Sequence, residues 1–165
     1  MSETKTYLDP SALGFFTVAA VSLPLAMVML LDNPMQGLDF FKYAGIIIMI
    51  VGILAWLCDA KFGFVVFTLV GLAVTLTGMG NIGAWGNITF GIIFVFAIVW
   101  SVLIGTGKNL TLLLVTTALI FLLVGISSVA ETDLNTVIGI VAILNFVLNF
   151  YMAASCAAPE KIKAF

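Results

Sequence analysis

The chain contains no histidine and no arginine, and only two cysteines among its 165 residues. Without histidine the commonest general base is missing, and no apolar run carries a carboxylate pair. Acid–base, Ser–His and metal-assisted chemistries therefore have no residues to work with. An enzyme is not expected, and no metal or other cofactor is implied. The lack of arginine and of any basic stripe argues against nucleic-acid binding. Cys58 and Cys156 each close an apolar segment, where a lone cysteine is a packing residue rather than half of a disulfide or a metal pair. Charge of either sign is scarce: six lysines and eight acidic residues make up 8% of the chain, against about 25% in a soluble domain. An aqueous fold is excluded.

What remains is apolar. Hydrophobic residues are 63% of the chain, gathered into six runs at 11–31, 40–58, 62–78, 88–105, 110–129 and 136–158. Each approaches the roughly 20 residues of a membrane-spanning helix. The runs are continuously apolar rather than alternating, which selects helices over barrel strands. The expected architecture is an all-α membrane protein, one domain over 1–165, with six transmembrane helices per protomer. The first run is too long for a signal h-region and is expected to stay in the membrane.

The lysines set an orientation. Lys5, Lys61, Lys108, Lys161 and Lys163 fall on one side of six spans and Lys42 alone on the other. The positive-inside bias then puts both termini in the cytoplasm. A weak repeat is also present. Gly45-Ile46-Ile47 leads to Lys61 and Gly91-Ile92-Ile93 leads to Lys108, so helices 2–3 and 4–5 read as two copies of one hairpin. Gly139-Ile140 opens a third copy in helix 6, completed by helix 1. Such hairpin repeats surround a common axis in small transporters and channels. Gly45, Gly71 and Gly125 stand at spacings that let helices approach closely, and Pro24 interrupts helix 1, freeing the Ala20 carbonyl.

Polar residues within the spans are few and uncharged: Thr17, Ser22, Thr68, Thr75, Thr77, Ser101, Thr111, Thr116, Thr117, Ser127, Ser128, Asn145 and Asn149. Serine and threonine in such helices ordinarily bond to their own backbone. Asn145 and Asn149 lie one turn apart on one face, and their cost in lipid turns them inward, as a pore wall or as an interhelical clamp. Thr17, Thr68, Asn145 and Asn149 are the polar pore-lining candidates. A path without fixed charge suits a small neutral solute. For a carboxylate it implies neutralisation by hydroxyl and amide donors, a helix N-terminus, or passage as the protonated acid. Fourteen phenylalanines, among them Phe67, Phe94, Phe96 and Phe121 near helix centres, supply material for an aromatic constriction.

Asp9-Pro10-Ser11-Ala12-Leu13-Gly14 opens helix 1 with an N-cap residue and a proline in the first turn. This stretch resembles the Asn-Pro-Ala-Pro-Leu-Gly-Leu signature that opens the first helix of the acetate/succinate transporter family. Phe62-Gly63, Phe67-Thr68 and Gly71 are similar to that family's third helix, and Gly105-Thr106 with Lys108 to its turn between helices 4 and 5. The resemblance implies a homo-hexamer in the cell membrane with a pore in each protomer, moving acetate, with succinate a second substrate, linked to protons. It also implies a constriction formed by helices 1, 3 and 5. The matching gate positions are Val18, Val70 and, in helix 5, Thr117 and Ala118, with Phe15 and Phe67 one turn earlier on the same faces. Asp9, Pro10, Leu13 and Gly14 form the implied pore entrance, where Asp9 either caps the helix or takes part in gating. Here Asp9 replaces the signature's Asn, Ala12 its second Pro, and Gly52 a helix 2 Gln. Two other readings stay open: a urea or small-amide channel, and a non-transporting six-helix membrane protein of stress or assembly.

Overall fold

A computed structural model of the protein describes residues 9–31 and 38–163. It contains six α-helices: α1 Ser11–Leu31, α2 Leu38–Leu57, α3 Lys61–Gly78, α4 Gly83–Leu103, α5 Lys108–Ala130 and α6 Asn135–Ala157. All six are long and apolar enough to cross a membrane, so the chain is a multi-pass, all-α membrane protein. Even the 18-residue α3 extends about 27 Å, close to the hydrocarbon thickness. The helix bounds agree with the sequence reading to within two residues, except at α4. That helix starts at Gly83 rather than 88, because Gly83-Ala84-Trp85-Gly86-Asn87 continues the helix and Asn87 Nδ2 donates back to the Gly83 carbonyl at 2.9 Å. The polar segment Asp32-Asn33-Pro34 and Lys5 lie outside the described residues.

The described turns share one construction. After α2, α3, α4 and α5 a residue in the left-handed region, Asp59, Gly80, Gly105 or Glu131, closes the helix. The following N–H then reaches back to a carbonyl five residues earlier: Ala60 to Ala55, Asn81 to Leu76, Thr106 to Ser101, Thr132 to Ser127. This C-cap satisfies carbonyls that would otherwise be orphaned and turns the chain in three or four residues.

The closest helix pairs are α2 with α3, α4 with α5, and α6 with α1. The repeat seen in the sequence is therefore a repeat in space, its third copy made from the two ends of the chain. Glycine sets each contact. A Cβ on Gly71 would stand 2.7 Å from the Gly45 carbonyl, and one on Gly125 would stand 2.8 Å from the Ala84 carbonyl. In the third pair, a Cβ on Gly139 would press on Leu30 at 2.5 Å. In lipid, where apolar burial gives no preference for helix over tail, such close approach provides the van der Waals contact that holds helices together. α1 runs unbroken across Pro24.

Buried faces of α1, α3 and α5 meet along the bundle axis, with Phe15, Val18, Val21, Phe67, Val70, Val74, Leu114, Ala118 and Phe121 in one core. The outer surface is apolar too, with Phe96 70% and Leu103 79% exposed. A soluble protein could not leave such a surface wet; in a bilayer it faces lipid or a neighbouring subunit.

Candidate functional site

Three cavities follow one another along the α1–α3–α5 axis. The first is a vestibule of about 360 Å³ at the end where these helices begin, lined by Asp9, Ser11, Phe15, Lys61, Phe62, Phe67, Thr106, Leu110, Met152 and Cys156 among others. The second, about 50 Å³, lies one turn deeper, between Val18, Ser22, Val70, Val74, Thr117 and Asn145. The third, about 150 Å³, opens toward the other end between Leu25, Met29, Phe41, Thr77, Asn87 and Val124. The second and third share Val21, Leu25, Val74, Ile120 and Phe121, so they adjoin across those side chains. The first shares no lining residue with the second.

Phe15 and Phe67 separate them. Their rings meet edge to face with centroids 5.1 Å apart, and both are nearly fully buried. Edge-to-face contact is a favoured aromatic geometry. Gly14 makes it possible, since a Cβ there would lie 2.6 Å from the Phe67 ring. Val18 and Val70, the positions the resemblance matches to the gate, line the small cavity, one turn beyond the two aromatics. Deeper still, Phe121 forms a wall of both inner cavities, its ring stacked on Phe94 at 5.6 Å.

The vestibule has a definite electrostatic sense. The N-termini of α1, α3 and α5 all lie at its rim, so three positive dipole ends converge there. No side chain caps α3 or α5. Asp9 does cap α1: its Oδ1 accepts from the Ser11 N–H at 2.9 Å and from the Ser11 hydroxyl at 2.6 Å. The helix C-termini at the same end are closed by the turn bonds of Ala60 and Thr106 and by Ala158. The N–H groups of Ser11, Lys61 and Leu110 at this end are also bonded, to Asp9 Oδ1 and to the Asp59 and Gly107 carbonyls. Lys61 adds an exposed cation, 3.8 Å from Asp59, a pair too wet to contribute much stability.

The larger of two side-chain networks among the described residues surrounds Asn145; the other joins Ser101, Thr106 and Thr111. Asn145 Nδ2 donates to Thr116 Oγ1 at 2.8 Å and Thr117 Oγ1 at 2.9 Å, and its Oδ1 accepts from Ser22 Oγ at 2.7 Å and Asn149 Nδ2 at 2.9 Å. Asn145 thus ties α6 to α1 and α5. Of the two roles its sequence position allowed, it fills the clamp and also borders the small cavity. Asn149 is fully buried but lines none of the three cavities.

Other sequence candidates fall elsewhere. Leu13 is 53% exposed and points away from the axis. Thr17 bonds to the Leu13 carbonyl and lines an open groove between α1 and α2. Thr68 packs in the α2–α3 seam, where a Cβ on Gly52 would meet its hydroxyl at 2.5 Å. Thr117 lines the small cavity, and Ala118 lies in the core beside it. Pro10 contributes the carbonyl that accepts the first helical bond, from Gly14 at 3.2 Å. Ser22 and Thr116, although among the span's polar residues, were not singled out for the site. The signal for Ser22 was its spacing of seven from Phe15 and four from Val18, which puts all three on one face of α1. No cluster of metal-binding side chains occurs among the described residues.

No family model and no curated protein matches the chain. Among solved structures it is similar to the bacterial acetate channel SatP, with a TM-score of 0.82, 17% identity and 96% of each chain covered. The two chains share one fold over that span, and the fold implied by the sequence resemblance is the fold found.

Proposed function

We propose that the chain conducts acetate and similar small monocarboxylates across the cell membrane, each protomer of a homo-hexamer holding its own path along the α1–α3–α5 axis. One observation carries this reading. A vestibule at three converging helix N-termini leads to the Phe15–Phe67 pair, and beyond it to a narrow cavity with one polar and one apolar wall. The vestibule attracts a small anion, the aromatic pair excludes bulk water by dewetting, and the narrow cavity fits a solute with a polar head and a methyl tail. The fold shared with an acetate channel supports the same substrate class. The lysine distribution supports a cytoplasmic vestibule, with both termini on that side. Flux is linked to protons, since no fixed cation lines the narrow cavity to offset a buried carboxylate. Succinate, with a second carboxylate to desolvate, is carried more slowly than acetate.

The test is uptake of labelled acetate into proteoliposomes at a pH where little acetic acid diffuses through lipid, with swelling in urea measured alongside. Acetate uptake above that of empty vesicles, with succinate slower, is the expected result. Urea swelling without acetate uptake would favour an amide channel. Neither flux would leave a non-transporting membrane protein. Native mass spectrometry in detergent is expected to show six copies.

A further inference from the structure

α1 and α2 belong to different hairpins and pack less closely than the two halves of any one hairpin. An open groove of about 390 Å³ remains between them on the outside of the bundle. Phe16, Thr17 and Ala20 form its α1 side, and Phe40, Tyr43, Ala44 and Ile47 its α2 side. Ala20 and Ala44 keep it open, a methyl from each helix standing where longer side chains would meet. Phe16 stands at the end nearer the vestibule, its ring edge to face with Phe150 of α6 at 5.5 Å. The Thr17 hydroxyl directs its proton to the Leu13 carbonyl at 2.8 Å, so apart from Tyr43 the groove offers no side-chain donor. Every lining residue belongs to a membrane span. At that depth the groove is filled by lipid or by protein, not by water.

The other end of the groove carries a positive charge. Lys42 lies about 6 Å from the start of α2, and its Nζ stands 5.7 Å from the centre of the Tyr43 ring, within cation–π range. Among the described residues it is the only lysine at this end of the bundle, and it makes no ion pair. Asp39 shares its face of α2 one turn earlier. The lysine is half-buried, its stem laid along apolar surface and its ammonium free to reach the headgroup level. Tyrosine favours the same level, with its ring in the apolar layer and its hydroxyl outside.

We propose that the α1–α2 groove is a binding site for an anionic diacyl phospholipid. One acyl chain lies between Phe16, Ala20, Ala44 and Ile47, and the Lys42 ammonium and Tyr43 hydroxyl hold the phosphate. Phe40 to Ile47 covers about 10 Å of α2, and Phe16 carries the groove further toward the vestibule. That reach is on the scale of one leaflet's hydrocarbon, half of the roughly 30 Å core. The volume takes about a dozen methylene-sized groups, at roughly the 30 Å³ that one water occupies in the liquid. A run of that length is most of a lipid tail, whereas a side chain from a second copy would bring only a few carbons. A phospholipid brings the long chain and the negative charge in one molecule, and the groove and Lys42 match both.

The test reconstitutes the full chain in phosphatidylcholine vesicles with a trace of phosphatidylglycerol carrying a diazirine in its acyl chain, followed by irradiation and peptide mapping. Transport is not read at any step, so the outcome is independent of what the chain conducts. Adducts are expected on peptides holding residues 16–20 and 40–47. Unlabelled phosphatidylglycerol is expected to displace them about fivefold more effectively than phosphatidylcholine, the contribution of one lysine near a charged surface. Lys42→Gln is expected to erase that preference. Ala20→Phe fills the groove from its exposed side and is expected to remove the groove adducts while those elsewhere on the surface persist. Adducts spread evenly over the surface, equal displacement by the two lipids, or a preference that survives in Lys42→Gln would each overturn the proposal. So would a photoreactive maleimide on Ala20→Cys, in a chain lacking Cys58 and Cys156, that joins two chains instead of labelling lipid, since a second copy would then occupy the groove.

Discussion

At the scale of single residues, Asn145 has the most partners. Its amide joins three helices, and its burial at 2% exposure leaves no water to replace a lost bond. Interhelical hydrogen bonds in membranes contribute about 0.6–2 kcal/mol each. Asn145→Leu, of similar volume, is therefore expected to destabilise the bundle by about 2 kcal/mol, read as a lower thermal midpoint in detergent. Cys156 offers a different probe. It lines the vestibule and is exposed, so a charged methanethiosulfonate reagent is expected to attach there and reduce acetate flux at least several-fold. Cys156→Ser is expected to abolish that inhibition and leave flux itself unchanged. Inhibition that persists in Cys156→Ser would place the reactive thiol elsewhere.

At the scale of elements, the helical hairpin is the unit, and glycine determines how closely its two halves approach. Gly71 lies backbone to backbone with Gly45, and Gly125 with Ala84 and Ile88. Gly125→Leu must push α4 from α5 by more than a side-chain shift can absorb, because behind the Ile88 side chain the Ala84 carbonyl and the Ile88 nitrogen stand within 2.9 Å of the added Cβ. It is expected to lower the yield of folded protein to near zero in size-exclusion chromatography, whereas Leu119→Ala on the exposed face of α5 is expected to have little effect. The elements were legible in the sequence because lipid demands unbroken apolar runs, and Gly45, Gly91 and Gly139 marked the three hairpins. The start of α4 was not, because Gly83 and Gly86 read as loop residues in water but continue a helix at the membrane edge, where an unpaired backbone is costly. The site was half legible. Phe15, Phe67 and Thr117 follow from the resemblance to the transporter family, and Asn145 from its cost in lipid. Thr17, Thr68 and Leu13 turn away from the axis. Each lies on a helix buried on more than one side, and periodicity alone does not say which side is the axis.

At the scale of the molecule, three hairpins place the N-termini of α1, α3 and α5 at one end and their side chains on one axis. A wide charged vestibule, an aromatic closure and a narrow uncharged interior follow in that order. In the proposed function the wide end collects a small anion and the narrow end discriminates by size and by hydrogen bonding. The central claim is that solute passes between Phe15 and Phe67. The most direct test is stopped-flow entry of acetate and of pentanoate into proteoliposomes of the unsubstituted chain and of Phe67→Ala. Opening the aromatic pair is expected to admit pentanoate at a rate near that of acetate, at least tenfold above the unsubstituted chain, with acetate itself faster. Unchanged selectivity in a folded Phe67→Ala protein would contradict a path between these two rings.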